Sequence, residues 1–355
     1  MKIGLLTYQN ANNFGAALQA YALETFLSLN GFDCEYLNYI CKSVERRYRS
    51  KNYLNPRTWM KKPMEIIREH SFSRFRTAIS ISRDIFSLNN IQTANQKYDC
   101  FLVGSDQVWN YKLNGNDTTF LLGFATKPCM SYASSLGLSE IEPQYVKQYI
   151  DCLGKFKSIL VRESAAKNIL EKLGIGPCSV VLDPCFLLDA DCWSLRTKPV
   201  IQDDYILYYT FDSTNTKRFN TIFKKSIQNF RICKLGGGIN ICDYISPRTI
   251  VKYTSGPDDF LSLIKNAKLV VTDSFHATVF SIIFKKPFVV FYRNRPGKDA
   301  RIMELLKIAN LTSREFSAIE PSTLFSFDSS QFSGEQLEAM RSFSKNMLLS
   351  SLERV

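Results

Sequence analysis

The chain contains two histidines, His70 and His276. His276 stands where a proton could be moved. It opens an apolar helix directly behind the buried strand Val270-Val271-Thr272 and the turn Asp273-Ser274-Phe275. An imidazole titrates near neutral pH and can give or take a proton there. The competing reading is a packed or capping histidine, with Asp273 as a cap for the helix. Arg162 is delivered by the apolar run Ile159-Leu160-Val161 to a strand's carboxyl end, with Glu163 beside it. A guanidinium so placed can grip a carboxylate or phosphate through two parallel hydrogen bonds. Its other use is a pair with Asp183, at the end of the strand that follows. Arg293, Arg295, Lys298 and Arg301 make a cationic loop at the edge that His276 occupies, suited to a phosphate. Beyond the first strand, Asn10, Asn12, Asn13 and Gly15 lead into a helix N-terminus, whose free N–H groups offer an anion or hydroxyl site. A well-capped turn would use the same residues. Ser105 and Asp106, after Gly104, would hold substrate hydroxyls or cap their own turn.

Other chemistries lack their residues. The sequence has no Walker phosphate loop, no G-x-G-x-x-G, no G-x-S-x-G and no H-E-x-x-H. Ten cysteines are scattered without a C-x-x-C pair, so no metal site is expected. Cys100, Cys185 and Cys233 sit in apolar segments, where a reduced thiol acts as a small hydrophobe.

The elements that must position these residues alternate strand with helix, the pattern of parallel sheets with right-handed crossovers. Strands are expected at 2–7, 34–39, 98–103, 129–133, 158–162 and 180–182. After a less regular stretch they resume at 205–211, 231–235, 269–272 and 288–292. The helices between them include 15–30, 164–173, 258–266, 276–284 and 300–309. A final amphipathic helix is expected from Gly334 to Leu352, capped near Ser333. This predicts an α/β protein of two Rossmann-like lobes facing across a cleft. The first lobe would span 1–195 with a basic insertion at 41–95, the second 196–325, and the last helix 326–355. Ligands of such sheets bind beyond the carboxyl ends of the strands, which is where the candidate residues fall.

Of 355 residues 45% are hydrophobic, a globular composition, and the net charge is +12. Twelve Lys and Arg lie between Lys42 and Arg83, against Glu45, Glu65 and Glu69. That stretch also carries Tyr48, Tyr53, Trp59, Phe72 and Phe75, so it reads as folded. It would attract phosphorylated substrates or an anionic membrane face, or serve only as a solvated basic surface. No nucleic-acid reading motif accompanies it, and a nucleic-acid partner is not expected. The opening segment reads as a strand and not as a signal peptide, and no apolar run approaches the ~20 residues of a membrane helix. A cytoplasmic protein, at most peripheral to the inner membrane face, is expected.

Five blocks carry a family resemblance. They are NFGAALQAY at 13–21, VGSDQVWN at 103–110, VRES at 161–164, LDP at 182–184 and TDSFHATVFSIIFKKPF at 272–288. Together, in this order, they resemble the polysaccharide pyruvyl transferases over most of the chain up to about residue 310. The resemblance implies a fold like the GT-B glycosyltransferases. It also implies transfer of the enolpyruvyl carbons of phosphoenolpyruvate to two hydroxyls of a sugar, with phosphate released and no further cofactor. The acceptor would be a nucleotide-linked, lipid-linked or growing glycan. The family's histidine carries over to His276, the candidate acid. Two residues earlier, where the family has an arginine, this chain has Ser274. Either Arg295 or Arg301 then takes the donor's anion, or the donor differs. A nucleotide-sugar glycosyltransferase on the same fold and a non-catalytic anion- or membrane-binding module are the alternatives.

Overall fold

The computed structural model describes residues 1–48, 62–236, 239, 241–293, 296–327 and 334–355. Arg295, Ser333 and the basic and aromatic residues from Arg49 to Lys61 lie outside the described residues.

Short runs rich in branched and apolar side chains, buried on both faces, become the strands of two parallel sheets. The first contains β1 (Lys2–Leu6), β2 (Asp33–Tyr39), β3 (Ile81–Phe86), β4 (Cys100–Val103), β5 (Cys129–Ser134), β6 (Ser158–Val161) and β7 (Cys178–Val180), in the order β3-β2-β1-β4-β5-β6-β7. The second contains β8 (Tyr205–Tyr209), β9 (Arg231–Lys234), β10 (Thr249–Val251), β11 (Leu269–Thr272) and β12 (Phe288–Val290), in the order β10-β9-β8-β11-β12. Both orders reverse once, between β1 and β4 in the first sheet and between β8 and β11 in the second. A crevice opens at each reversal, because the crossovers on its two sides leave in opposite directions.

Two edge strands were not foreseen. β3 lies within what reads as the basic insertion and pairs with β2 at Tyr36↔Ile81 and Tyr39↔Phe86. Arg83, Asp84 and Ile85 are exposed on it, so it lacks the continuous apolar run of a central strand. β10 is three half-buried residues at the opposite edge of the second sheet. The strand expected at 180–182 ends at Val180, which leaves Asp183 clear of the sheet.

The helices that matter for the site are α1 (Phe14–Leu29), α2 (Lys62–Arg76), α3 (Ser164–Lys172), α4 (Pro257–Asn266), α5 (Phe275–Ile283), α6 (Pro296–Ile308) and α7 (Gly334–Glu353). α1 is buried along most of its length, because it packs against its own sheet on one side and the second lobe on the other. Phe14 stacks on Phe72 of α2 at 5.2 Å and on Phe260 of α4 at 4.8 Å, and Trp193 meets Phe280 of α5 edge-on at 4.9 Å. One hydrophobic cluster therefore runs through both lobes. α7 returns to the first lobe. Ser344 on it accepts from the Leu182 N–H at 2.9 Å, and Leu348 and Leu352 join the shared core. Cys100, Cys185 and Cys233 are buried and unpaired. Among the described residues, no helix is long and apolar enough to cross a membrane.

Candidate active site

A pocket lies between the lobes where the two sheet reversals face each other. Tyr8, Asn13, Gly15 and Asp106 line it from the first lobe, and Ser274, His276, Arg293 and Arg301 from the second. Three helices begin at this pocket: α1, α5 and α6. Convergent N-termini bring unpaired N–H groups and positive dipole ends to one place, which favours an anion. Asn13 caps α1 by accepting from the Ala16 N–H at 3.1 Å. Ser274 caps α5 by accepting from the Ala277 N–H at 3.5 Å. The capping role expected for Asp273 therefore belongs to its neighbour. Asp273 instead reaches across the sheet to the backbone N–H groups of Phe211 and Asp212 and pairs with Arg293 at 2.9 Å. It is the first residue past β11, and its carboxylate lies against the backbone that follows β8 and not against the helix.

His276 comes from the second lobe but its ring is set into the first. Nε2 stands 3.5 Å from Asp183 Oδ2, and the other face of the ring lies on Gly15. A Cβ added at residue 15 would fall 1.9 Å from Nδ1, so only glycine leaves room for the ring. The sequence offered Gly15 as part of a helix N-terminal ligand site; in the structure it lines the pocket and also admits this imidazole. Changing Gly15 to Ala is expected to expel the ring and lower turnover toward that of a histidine-less variant. Full turnover in Gly15→Ala would show that the ring can act from another position.

Asp183 stands beside the imidazole, whose Nε2 has no hydrogen-bond partner. It caps the turn Pro184–Leu187 through the Cys185 N–H at 3.0 Å, accepts from Arg162 Nη1 at 3.0 Å and accepts from the Ser105 hydroxyl at 3.2 Å. Burial alone would push its carboxyl up, but His276 and Arg162 outweigh that and hold it far below the usual carboxylate range. A carboxylate fixed in this way sets the orientation of the ring it faces.

Arg162 and Ser105 are not among the residues that line this pocket. The Arg162 side chain is 1% exposed and lies below the pocket, near Asp183, Asp106 at 3.6 Å and Glu163 at 3.9 Å. Burial opposes its charge, yet these carboxylates more than compensate and raise its pKa. The pair with Asp183 that the sequence offered for Arg162 is formed, while its Nε and Nη2 have no hydrogen-bond partner. Ser105 is fully buried, its N–H donating to Gln19 Oε1 at 3.1 Å while its hydroxyl serves Asp183. Asp106 does reach the pocket, as the first residue past this buried turn.

Among the described residues, the cations that line the pocket are Arg293 and, from α6, Arg301. Burial, joined by the nearby Arg162 charge, pushes the Arg301 guanidinium below the usual arginine value. Its Nε is buried with no hydrogen-bond partner, and its Cζ lies 5.4 Å from the centre of the Phe275 ring, which Arg162 also approaches at 4.9 Å. A buried cation with an unsatisfied donor is a place where an incoming anion gains most. Arg293 pairs with Asp273 and rests on the Phe211 ring at 4.0 Å, and its Nε too is buried without a hydrogen-bond partner. The lobes are tied beside the site by Glu304 of α6, which accepts from the Ser164 N–H at the start of α3 at 2.9 Å.

Asp183, Cys185 and His276 bring three potential metal-ligand atoms within 4.8 Å of one another. The donor set does not suit a cation. The Arg162 guanidinium already occupies Asp183, and burial pushes the Cys185 thiol well above its usual value, so it would not ionise. What sequence reasoning underrated is Asp183 itself, which it weighed only as a partner for Arg162. An Asp-Pro pair closing a strand is a common capping signal, and nothing local shows that a histidine ninety-odd residues later will land on it.

A family model described as polysaccharide pyruvyl transferase matches residues 13–295. Among curated proteins none matches the chain significantly. In fold the chain is similar to UDP-GlcNAc 2-epimerase from Neisseria meningitidis, with 12% identity, a TM-score of 0.52 and 100% of each chain covered. It is also similar to a putative UDP-N-acetylglucosamine 2-epimerase from Listeria monocytogenes, with 13% identity, a TM-score of 0.51, and 99% of this chain and 95% of the other covered.

Proposed function

Because the chain belongs to the polysaccharide pyruvyl transferase family, we propose that it converts phosphoenolpyruvate and a sugar diol into a pyruvate ketal and phosphate. The observation that carries this reading is one pocket holding an oriented imidazole, His276, and an unsatisfied buried cation, Arg301, among three helix N-termini.

In the proposed reaction the donor's carboxylate and phosphate lie against Arg301 and the N-termini of α1 and α5. Protonated His276 gives its proton to the methylene carbon, which becomes the methyl group. The adjoining carbon turns oxocarbenium-like, and the first sugar hydroxyl attacks it, returning its proton to His276. Loss of phosphate renews the electrophilic centre. The second hydroxyl closes the ketal, and its proton leaves with the phosphate. Asp183 stays ionised throughout and holds the ring in register, while Arg162 and Ser105 hold Asp183. Ser274 supplies no charge at the position where the family has arginine, so the fixed cation comes from α6, one crossover later. The acceptor is a glycan or its nucleotide- or lipid-linked precursor.

Thermal unfolding at matched ionic strength tests the donor. Phosphoenolpyruvate at ~100 times its Kd should add ~2.7 kcal/mol of stability, and Arg301→Met should remove most of that gain. Stabilisation by a nucleotide sugar and none by phosphoenolpyruvate would overturn the proposal in favour of glycosyl transfer.

A further inference from the structure

Two side chains of the pocket have no part in the chemistry above, and each is unusual for its place. Phe211 follows β8 and lines the pocket from the second lobe, yet 49% of it is exposed. The backbone fixes it there. Its N–H donates to the Asp273 carboxylate at 2.9 Å, and β8 pairs with β11 at Tyr209↔Thr272. Phe211 therefore leaves the sheet one strand over, about 4.8 Å, from the turn that leads to His276. Arg293 covers one face of its ring at 4.0 Å, and Tyr209 meets it at 5.2 Å with the planes tilted by 58°.

Gln107 lines the pocket from the first lobe, after β4. Its main chain is pinned: the N–H donates to Asp106 Oδ1 at 2.8 Å, and the carbonyl accepts from the Tyr8 hydroxyl at 3.2 Å. Its side-chain amide is packed but not satisfied. The residue is 4% exposed and lies against Gly137, where a Cβ would fall 2.3 Å from Nε2, and Nε2 is buried with no hydrogen-bond partner. Burying a donor without an acceptor costs about 1–3 kcal/mol, so an oxygen brought into the pocket beside it is favoured.

Phosphoenolpyruvate is a poor match for the first of these groups. A phenyl face carries the negative part of the ring quadrupole, which repels the oxygens of a phosphate or carboxylate. A pyranose is the reverse. One of its faces presents C–H groups with slightly positive hydrogens, and its rim presents hydroxyl oxygens and a ring oxygen. The C–H face suits an exposed phenyl, and a rim oxygen suits an amide N–H. Phe211 and Gln107 line the same pocket from opposite lobes, so a ring seated between them touches both. We infer that the acceptor's sugar ring stacks on Phe211 and accepts a hydrogen bond from Gln107 Nε2, with its diol turned toward His276. The ring's role as acceptor rests on the pyruvyl-transfer reading; the binding of a sugar on Phe211 does not.

The test uses the full chain and saturation-transfer NMR with the methyl glycosides of glucose, galactose, mannose and N-acetylglucosamine, and with uridine. At least one glycoside should bind, with transfer strongest to the ring protons of one face. Its affinity should fall about tenfold in Phe211→Ala and in Gln107→Met, the equivalent of about 1.4 kcal/mol for a lost stack or hydrogen bond. Phe211→Tyr, which keeps the aromatic face, should bind as the wild type does. All three variants should keep the wild-type melting temperature and the phosphoenolpyruvate shift. Binding by no glycoside, or binding indifferent to either Phe211→Ala or Gln107→Met, overturns the inference. Binding of uridine alone overturns it in favour of a nucleobase on Phe211, and loss of the phosphoenolpyruvate shift in Phe211→Ala overturns it by placing the donor there. Absence of that shift in the wild type is a separate result, which removes the donor reading and leaves sugar binding on Phe211 to be judged from the same spectra.

Discussion

His276→Ala should lower acceptor-dependent phosphate release by about 10²–10⁴-fold, the usual worth of a positioned general acid. The melting temperature and the stabilisation by phosphoenolpyruvate should stay near wild type. The ring is held by one carboxylate at 3.5 Å and by van der Waals contact with Gly15, so its removal leaves a small void at the pocket edge and not a broken network. The loss should appear in kcat, because the proton is delivered in the transition state and not in the bound donor. Undiminished release would exclude His276 as the acid, and with it the role given to Asp183.

Asp183→Ala should be the most destabilising single change at the site, by about 3–5 kcal/mol in a denaturant titration. It leaves the Arg162 guanidinium, 1% exposed, without its 3.0 Å partner, and frees the Ser105 hydroxyl and the Cys185 N–H in the same buried space. Asp106 at 3.6 Å and Glu163 at 3.9 Å remain and should keep the loss toward the lower end. Asp183→Asn preserves shape and separates charge from packing. The wild-type carboxyl sits below its unfolded value, so its contribution is full above about pH 3.9 and is lost as pH falls toward the folded value. The stability of Asp183→Asn should therefore fall less steeply with acid than that of the wild type. Equal slopes would mean that Asp183 is not ionised in the folded protein. Catalysis should fall in both variants, since an unanchored imidazole samples unproductive orientations.

How much of this was legible in the chain follows the range of the forces involved. Alternating apolar and amphipathic runs reveal central strands and their helices, because burial on both faces imposes a continuous apolar run. β1, β4, β8 and β11, which carry the site, are strands of this kind, so the loops beyond them could be picked out. β3 and β10 were hidden because an edge strand has one open side and tolerates charge.

The candidates themselves divide in the same way. His276 was visible because a polar, titratable residue interrupts an apolar run at a strand's carboxyl end. Arg162 was visible for the same reason, but its use was not. Exposure to the pocket or to three carboxylates is decided by how α6 and the turn at Asp183 pack over it. Arg301 and Arg162 look equivalent as letters. Only the docking of the second lobe places Arg162 beside carboxylates below the pocket and Arg301 at its wall, each with a buried donor left without a hydrogen-bond partner. The spacing from Gly15 to His276 to Asp183 carries no local signal at all, since these residues meet through contacts between lobes. The sequence by itself determined two doubly wound lobes and the edges at which chemistry would occur, because strand and helix periodicity is a short-range property of burial. The tertiary structure alone decided which charges face a ligand and which support another side chain, because that depends on the desolvation and distance created when the lobes close on each other.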